Sequence, residues 1–246
     1  VKLPILCYHK VGPESEEGRF LNVLPATLRA HIHFFRRRRM RWVRACDLAK
    51  GWPDRAVCLT FDDAFASTLT YGLEVLRSEG LEVLRSEEAT ASIYACGRCV
   101  GKTAGALFDV GTGIDSSLAT WAQLADAFRA GCEIGNHTSA HQDLSQLSLV
   151  DQAQAIAEGD RLLRDHGFDP RSVCLPYGRH NAETVPALRA TGAGIGLALS
   201  TRAATPRDER LLLPRIVIGY SDGVPKLLYK LYLRPRLGPS QRSHYV

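Results

Sequence analysis

The chain of 246 residues contains no run approaching the ~20 consecutive apolar residues of a membrane-spanning helix. No leader with a charged, an apolar and a small-residue region precedes Val1. A disulfide framework is also missing. Seven cysteines are an odd number, and four of them fall in apolar strand-like runs, the pattern of buried thiols in a reducing compartment. Cys96-Gly97-Arg98-Cys99 has CxxC spacing but lacks the second pair that a zinc knuckle needs. These absences point to a cytoplasmic protein. Nor is one sign of charge in large excess. The net charge is +5, concentrated in Arg36 to Arg39 and in the C-terminal tail. The arginine run follows a helical pattern, where cations suit the helix C-terminus, so it reads as a solvated helix end rather than a nucleic-acid patch.

What is present suffices for a full core. Apolar residues make up 45% and charged residues 23%, and α/β barrels fill this length as one domain. Apolar runs at Leu3–Tyr8, Ala56–Phe61, Thr90–Ala95, Cys132–Gly135, Ser172–Leu175, Gly194–Leu199 and Leu212–Ile218 read as strands. Helical patterns lie between them at Ala26–Arg38, Ser67–Ser78, Thr120–Ala130, Leu149–His166 and Ala182–Thr191. The alternation predicts a parallel α/β fold, and seven strands suit a closed barrel with its chemistry at the strand C-termini. Residues 1–220 form the predicted catalytic domain and 221–246 a C-terminal helix and tail. The segment Lys226 to Arg234 is basic and amphipathic; it packs as a last helix or touches a membrane surface. Leu73 to Gly80 is followed by a near-copy, Leu81 to Glu87, a local duplication with its break at Gly80. The second copy is expected to extend the helix or loop outside the barrel.

Polar clusters close several strands. Thr60-Phe61-Asp62-Asp63 sets two carboxylates side by side. They either divide the labour of metal ligand and base or cap the next helix. His137 and His141, four apart after Glu133-Ile134-Gly135, have a recurrent metal-ligand spacing, compatible with a hydrolytic metal or with iron. Leu175-Pro176-Tyr177-Gly178 ends another strand and leaves the Tyr177 amide available to an oxyanion, or is merely a turn. Cys7-Tyr8-His9-Lys10 closes the first strand.

With these motifs in this order, the chain resembles the polysaccharide deacetylase family (carbohydrate esterase family four), from Pro4 to about Ile218. The Leu6-Cys7-Tyr8-His9 opening and the Leu-Pro-Tyr-Gly form look like the subgroup that deacetylates poly-N-acetylglucosamine-type glycans. The resemblance implies a distorted (β/α)7 barrel in a single domain, with Asp62 as base, His9 as acid and the Tyr177 amide as oxyanion donor. Asp63, His137 and His141 would hold a divalent metal, Zn2+ foremost. The implied activity is removal of N-acetyl groups from a sugar or polysaccharide precursor, with no nucleic-acid partner, and the aromatics Tyr8, Phe61 and Tyr177 near the site could then stack on a sugar ring. Two departures stand out. Many members carry an arginine just before the Pro-Tyr pair that holds the base, where Cys174 and Leu175 stand here, and Arg215 is the candidate substitute. The usual Leu-x-His near the C-terminus is missing, and His180 competes with His9 for the acid. The rival readings are a catalytically impaired barrel that binds glycan and an amidase acting on a non-sugar amide.

Overall fold

The computed structural model describes residues 2–78, 91–111 and 113–237. From the N-terminus the elements run β1 (Ile5–Tyr8), β2 (Lys10–Val11), α1 (Glu14–Glu17), β3 (Asn22–Val23), α2 (Pro25–Arg37), β4 (Arg41–Val43) and β5 (Ala56–Phe61). Next come α3 (Leu73–Ser78), β6 (Ser92–Ala95), α4 (Trp121–Arg129), β7 (Glu133–Asn136) and α5 (Leu149–Asp165). The chain then adds β8 (Ser172–Cys174), α6 (Thr184–Ala190), β9 (Ile195–Ser200), β10 (Leu213–Val217) and α7 (Val224–Leu228).

Parallel pairing runs β1-β10-β9-β8-β7-β6-β5, and β1 pairs again with β5, so seven strands close a barrel. β4, short and ahead of a polar loop, had no strong signal in the sequence. It explains the barrel's distortion. β1 takes one edge of β5 over Cys58 to Phe61. The other edge is shared, with β4 on Ala56 to Cys58 and β6 on Thr60 and Phe61.

Side chains alternate with a period of two. Ile5, Cys58, Tyr94, Cys174, Ile195, Leu197 and Leu213 pack together inside the barrel. Their neighbours Leu6, Val57, Leu59, Ile93 and Ile134 pack outward with helix residues such as Leu28, Ile32, Leu124 and Leu163. The inward phase continues to the strand ends as Cys7 then His9, Thr60 then Asp62, Gly135 then His137, and Arg215 then Val217. Sequence parity thus decides which polar residues reach the barrel mouth.

Helix caps match the residues that announce them. Thr120 and Gln123 form a reciprocal capping box on α4, and the Ser148 side chain accepts from the Asp151 amide at the start of α5. At the far end of α2, Arg38 donates to the Phe34 carbonyl at 3.2 Å and lies over the Phe34 ring, so the arginine run is a solvated helix end. Gly159 allows α5 to meet the end of β7. A Cβ there would fall 2.3 Å from Asn136 Oδ1, while Asn136 Nδ2 donates to the Ile156 carbonyl and to Asp160 Oδ1, both at 2.8 Å. Beyond β10, α7 and the turns after it bury Leu227 and Leu231 and expose Tyr229, Tyr232, Leu233 and Leu237. Among the described residues no helix is long and apolar enough to cross a membrane. The second copy of the duplicated segment and the last nine residues lie outside the described residues; the first copy contributes α3.

At the N-terminal end of the barrel, a buried Glu133 stitches the seam between β4 and β6. Its carboxylate accepts from Ser92 Oγ (2.6 Å), Ser172 Oγ (2.6 Å) and the Cys46 amide (3.0 Å). Ser92 in turn accepts from the Ala45 amide at 2.8 Å. Glu133→Ala strands three buried donors. We expect a loss of about 3 kcal/mol, or roughly 6–12 °C in Tm, on chemical and thermal denaturation. Unchanged stability would show that this network contributes nothing net.

Candidate active site

A cavity of about 400 Å³ opens at the C-terminal ends of the strands and is lined by His9, Asp62, Asp63, His137, His141 and Tyr177, among others. All six residues singled out in the sequence therefore meet in one place. His180 is exposed, with Nδ1 3.4 Å from the Gly178 carbonyl, and is not part of the lining.

Asp62 continues the inward phase of β5 and is fully enclosed. Arg215, the largest fully buried side chain, faces it from β10. Nη1 lies 2.6 Å from Asp62 Oδ1 and Nη2 2.8 Å from Oδ2. The remaining donors reach Thr60 Oγ1 at 3.0 Å and the Ala198 carbonyl at 3.3 Å. Burial by itself would raise the Asp62 carboxyl, but the guanidinium overrides it and holds the group well below the usual carboxylate range. The arginine absent from the Pro-Tyr turn is thus supplied by a different strand.

Asp63 follows on the outward phase and is turned back into the cavity by a left-handed backbone, φ 66°. Its Oδ1 lies 3.4 Å from both His137 Nε2 and His141 Nε2 and has no hydrogen-bond partner despite being buried. His137 Nδ1 is 2.8 Å from the Cys174 carbonyl. A carbonyl only accepts, so Nδ1 carries the hydrogen and the Nε2 lone pair faces Asp63. Burial pushes His141 down to about 4 against the pull of Asp63. Burial also opposes protonation of His137, yet the Asp63 and Asp62 carboxylates outweigh it and raise that imidazole. Three ligand atoms stand within 4.8 Å of one another. Ligands ~2.0–2.1 Å from a tetrahedral centre sit about 3.3 Å apart, so an orphaned carboxylate oxygen at 3.4 Å from two imidazole nitrogens fits a metal such as zinc.

His9 extends the inward phase of β1. A ring nitrogen lies within 4.8 Å of an Asp62 carboxylate oxygen and of the Cys7 sulfur, and Nδ1 is buried without a partner. Burial lowers this imidazole, and Asp62 and Asp63 offset part of the effect. Asp62 is thus its carboxylate neighbour.

Tyr177 occupies a left-handed turn, φ 58°. The Gly178 and Arg179 amides close that turn onto the carbonyls of Leu175 and Pro176, and the Tyr177 amide takes no part in the closure. Gly178 is obligatory, since φ is 65° and a Cβ would meet Leu199 Cγ at 2.4 Å. The non-glycine residues with positive φ include Asp63, Ala64, Thr138, His141 and Tyr177, so backbone strain gathers around this cavity.

The expectation for the aromatics needs correction. Tyr8 and Phe61 are buried at 0% and 1% exposure, on the outward phase, and Tyr8 Oη bonds His31 Nδ1 at 2.9 Å. They cannot touch a sugar. The cavity instead presents Phe20, 54% exposed, edge-on to Phe108 with centroids 6.1 Å apart, together with Asp109 and Arg179. Sequence reasoning passed over these residues because they sit in loops without periodicity. An aromatic in the polar loop Glu16 to Leu21 was the available signal.

Three comparisons bear on this geometry. A family model described as polysaccharide deacetylase matches residues 49–195. A Bacillus subtilis (strain 168) protein of the same family name, YxkH, is 24% identical over 240 residues, covering 94% of this chain and 76% of that one. Similar solved structures include the Streptococcus pyogenes deacetylase PplD in complex with acetate, with TM-score 0.73 and 20% identity, covering 94% and 98% of the two chains. A de-N-acetylase from Aggregatibacter actinomycetemcomitans has TM-score 0.73 and 18% identity, covering 94% of this chain and 100% of that one. IcaB from Ammonifex degensii has TM-score 0.70 and 24% identity, covering 92% and 95%. These structures share the barrel. The matched span holds the carboxylate pair, the histidine pair and the Pro-Tyr-Gly turn, and the chain belongs to the polysaccharide deacetylase family.

Proposed function

We propose that this chain is a metal-dependent N-deacetylase acting on an N-acetylated sugar or glycan. One observation carries the reading. A buried carboxylate oxygen with no donor stands between two imidazole nitrogens, beside a second carboxylate that an arginine holds ionised. Asp63, His137 and His141 would hold the divalent ion, zinc being the best fit. When bound, it supplies Lewis-acid polarisation of the acetyl carbonyl and a more acidic water.

The chain's own residues supply the rest. Asp62, ionised at neutral pH, takes the proton of the attacking water. The Tyr177 amide, which takes no part in closing its turn, donates to the developing oxyanion. His9 gives a proton to the leaving nitrogen, which otherwise departs as an amide anion. Phe20 and Phe108 offer the apolar faces that a sugar ring covers, and their exposure at the mouth suits a glycan better than a small amide. Arg215, paired with Asp62, takes the place of the missing arginine and so speaks against a non-catalytic barrel. The names of PplD and of the Aggregatibacter de-N-acetylase support the same reaction class.

Three outcomes are expected. Protein purified without chelator should contain about one divalent ion per chain, and His137→Ala should lose it. Because His137 is raised and must be neutral to ligate, affinity should fall as pH drops through its titration. Equal metal in both proteins removes the ligand assignment. Asp62→Asn should keep its metal while acetate release drops at least ~100-fold; near wild-type turnover would assign the base elsewhere. His9→Ala should lose turnover of an unactivated acetamide but spare an ester with a good leaving group, whereas His180→Ala should match wild type on both. Equal loss on both substrates in His9→Ala would make His9 structural.

A further inference from the structure

The surroundings of Asp62 are lopsided. Oδ1 receives one donor, Arg215 Nη1 at 2.6 Å. Oδ2 receives three: Arg215 Nη2 at 2.8 Å, the Cys7 thiol at 3.3 Å and the Cys174 thiol at 3.4 Å. A carboxylate oxygen offers about two lone-pair sites. Oδ2 is therefore filled, and Oδ1 keeps one site open. We propose that Cys7 and Cys174 are positioning residues that clamp Oδ2 and leave Oδ1 as the proton-accepting atom, an inference resting on the reading of Asp62 as base.

The two thiols reach Oδ2 from opposite parts of the barrel. Cys7 comes from β1, and Cys174 from β8. Both are fully buried, where the protonated, donating form of a thiol costs least, and burial pushes each well above the ordinary thiol value. Arg215 anchors the carboxylate by its two-pronged contact, and the thiols hold its rotation about that anchor. The thiols then break the equivalence of the two oxygens, which a symmetric fork cannot do. Cys174 has a double part. Its sulfur accepts from Arg215 Nη2 at 2.9 Å and stands 3.4 Å from Asp62 Oδ2, within donating distance, and its carbonyl accepts from His137 Nδ1 at 2.8 Å. One residue thus sets both the base and a metal ligand in register. Sulfur is needed for reach. An oxygen at the same place has a shorter bond to Cβ, so serine would keep the donor but stretch the contact.

The test compares the full-length, zinc-loaded wild type with Cys7→Ala, Cys174→Ala, the two serine variants and the double alanine variant on an N-acetylglucosamine oligomer. Each alanine variant should lower kcat roughly three- to tenfold, as for loss of one modest hydrogen bond, with KM and zinc content unchanged. The serine variants, which keep a donor on a longer contact, should recover part of that loss. A crystal structure of the metal-free double alanine variant should show the Asp62 carboxylate turned away from its wild-type plane. Unchanged kcat in the alanine variants, or serine variants as impaired as alanine, overturns the clamp and leaves the cysteines as packing residues. If one alanine variant does not fold, the other, acting on Oδ2 from the other side, decides. A wild type that releases no acetate defeats the deacetylase reading, and the metal-free structure still decides the clamp.

Discussion

An ion pair sealed inside the barrel sets the terms for everything at its mouth. Removing a carboxylate and a guanidinium from water costs several kcal/mol per ion, and attraction repays it only where nearly every donor finds an acceptor. Arg215 meets that demand through Asp62, Thr60, Ala198 and Cys174. These partners come from β5, β8 and β9, so satisfying one guanidinium ties four strands together at the level where the chemistry begins. Asp62 is left charged, buried and held in place, which suits it to the proposed role of base.

The contrast with Asp63 shows how two identical side chains, one peptide apart, acquire different tasks. Asp62 is saturated by protein donors. Asp63 is denied them, and its bare Oδ1 faces two imidazoles. Like charges this close ordinarily drive one group to take a proton. Here Asp62 has the Arg215 guanidinium as its counterpart while Asp63 faces two imidazoles, and both carboxyls are held below their ordinary value. A reversal of the backbone at Asp63 is what separates the two environments.

Much of this was legible in the residues themselves. Strand runs with helices between them gave the barrel, and motifs at strand ends gave six of the residues that line the cavity. Parity along β1, β5 and β7 would also have ruled Tyr8 and Phe61 out of the cavity, a step not taken in weighing them as sugar platforms. Arg215 could be suggested but not placed, because contact between β10 and β5 across the barrel interior leaves no trace in local sequence. β4 was hidden by brevity. Phe20 and Phe108 were hidden because loop residues meet only through tertiary folding, and periodicity says nothing of them.

Left-handed backbone at non-glycine residues has a consequence for anyone wishing to harden this protein. Arg39 and Arg55 bear positive φ well away from the cavity, in loops flanking β4. Glycine at either place would relieve a steric penalty at the cost of a looser unfolded chain, a trade that can be tried without touching the chemistry. The same repair at Thr138 would loosen the frame that aims the imidazoles, and at His141 it would delete one of them. Thermostabilising libraries for this barrel should therefore treat the two populations of strained residues as opposites, open to change beside β4 and closed to it around the mouth.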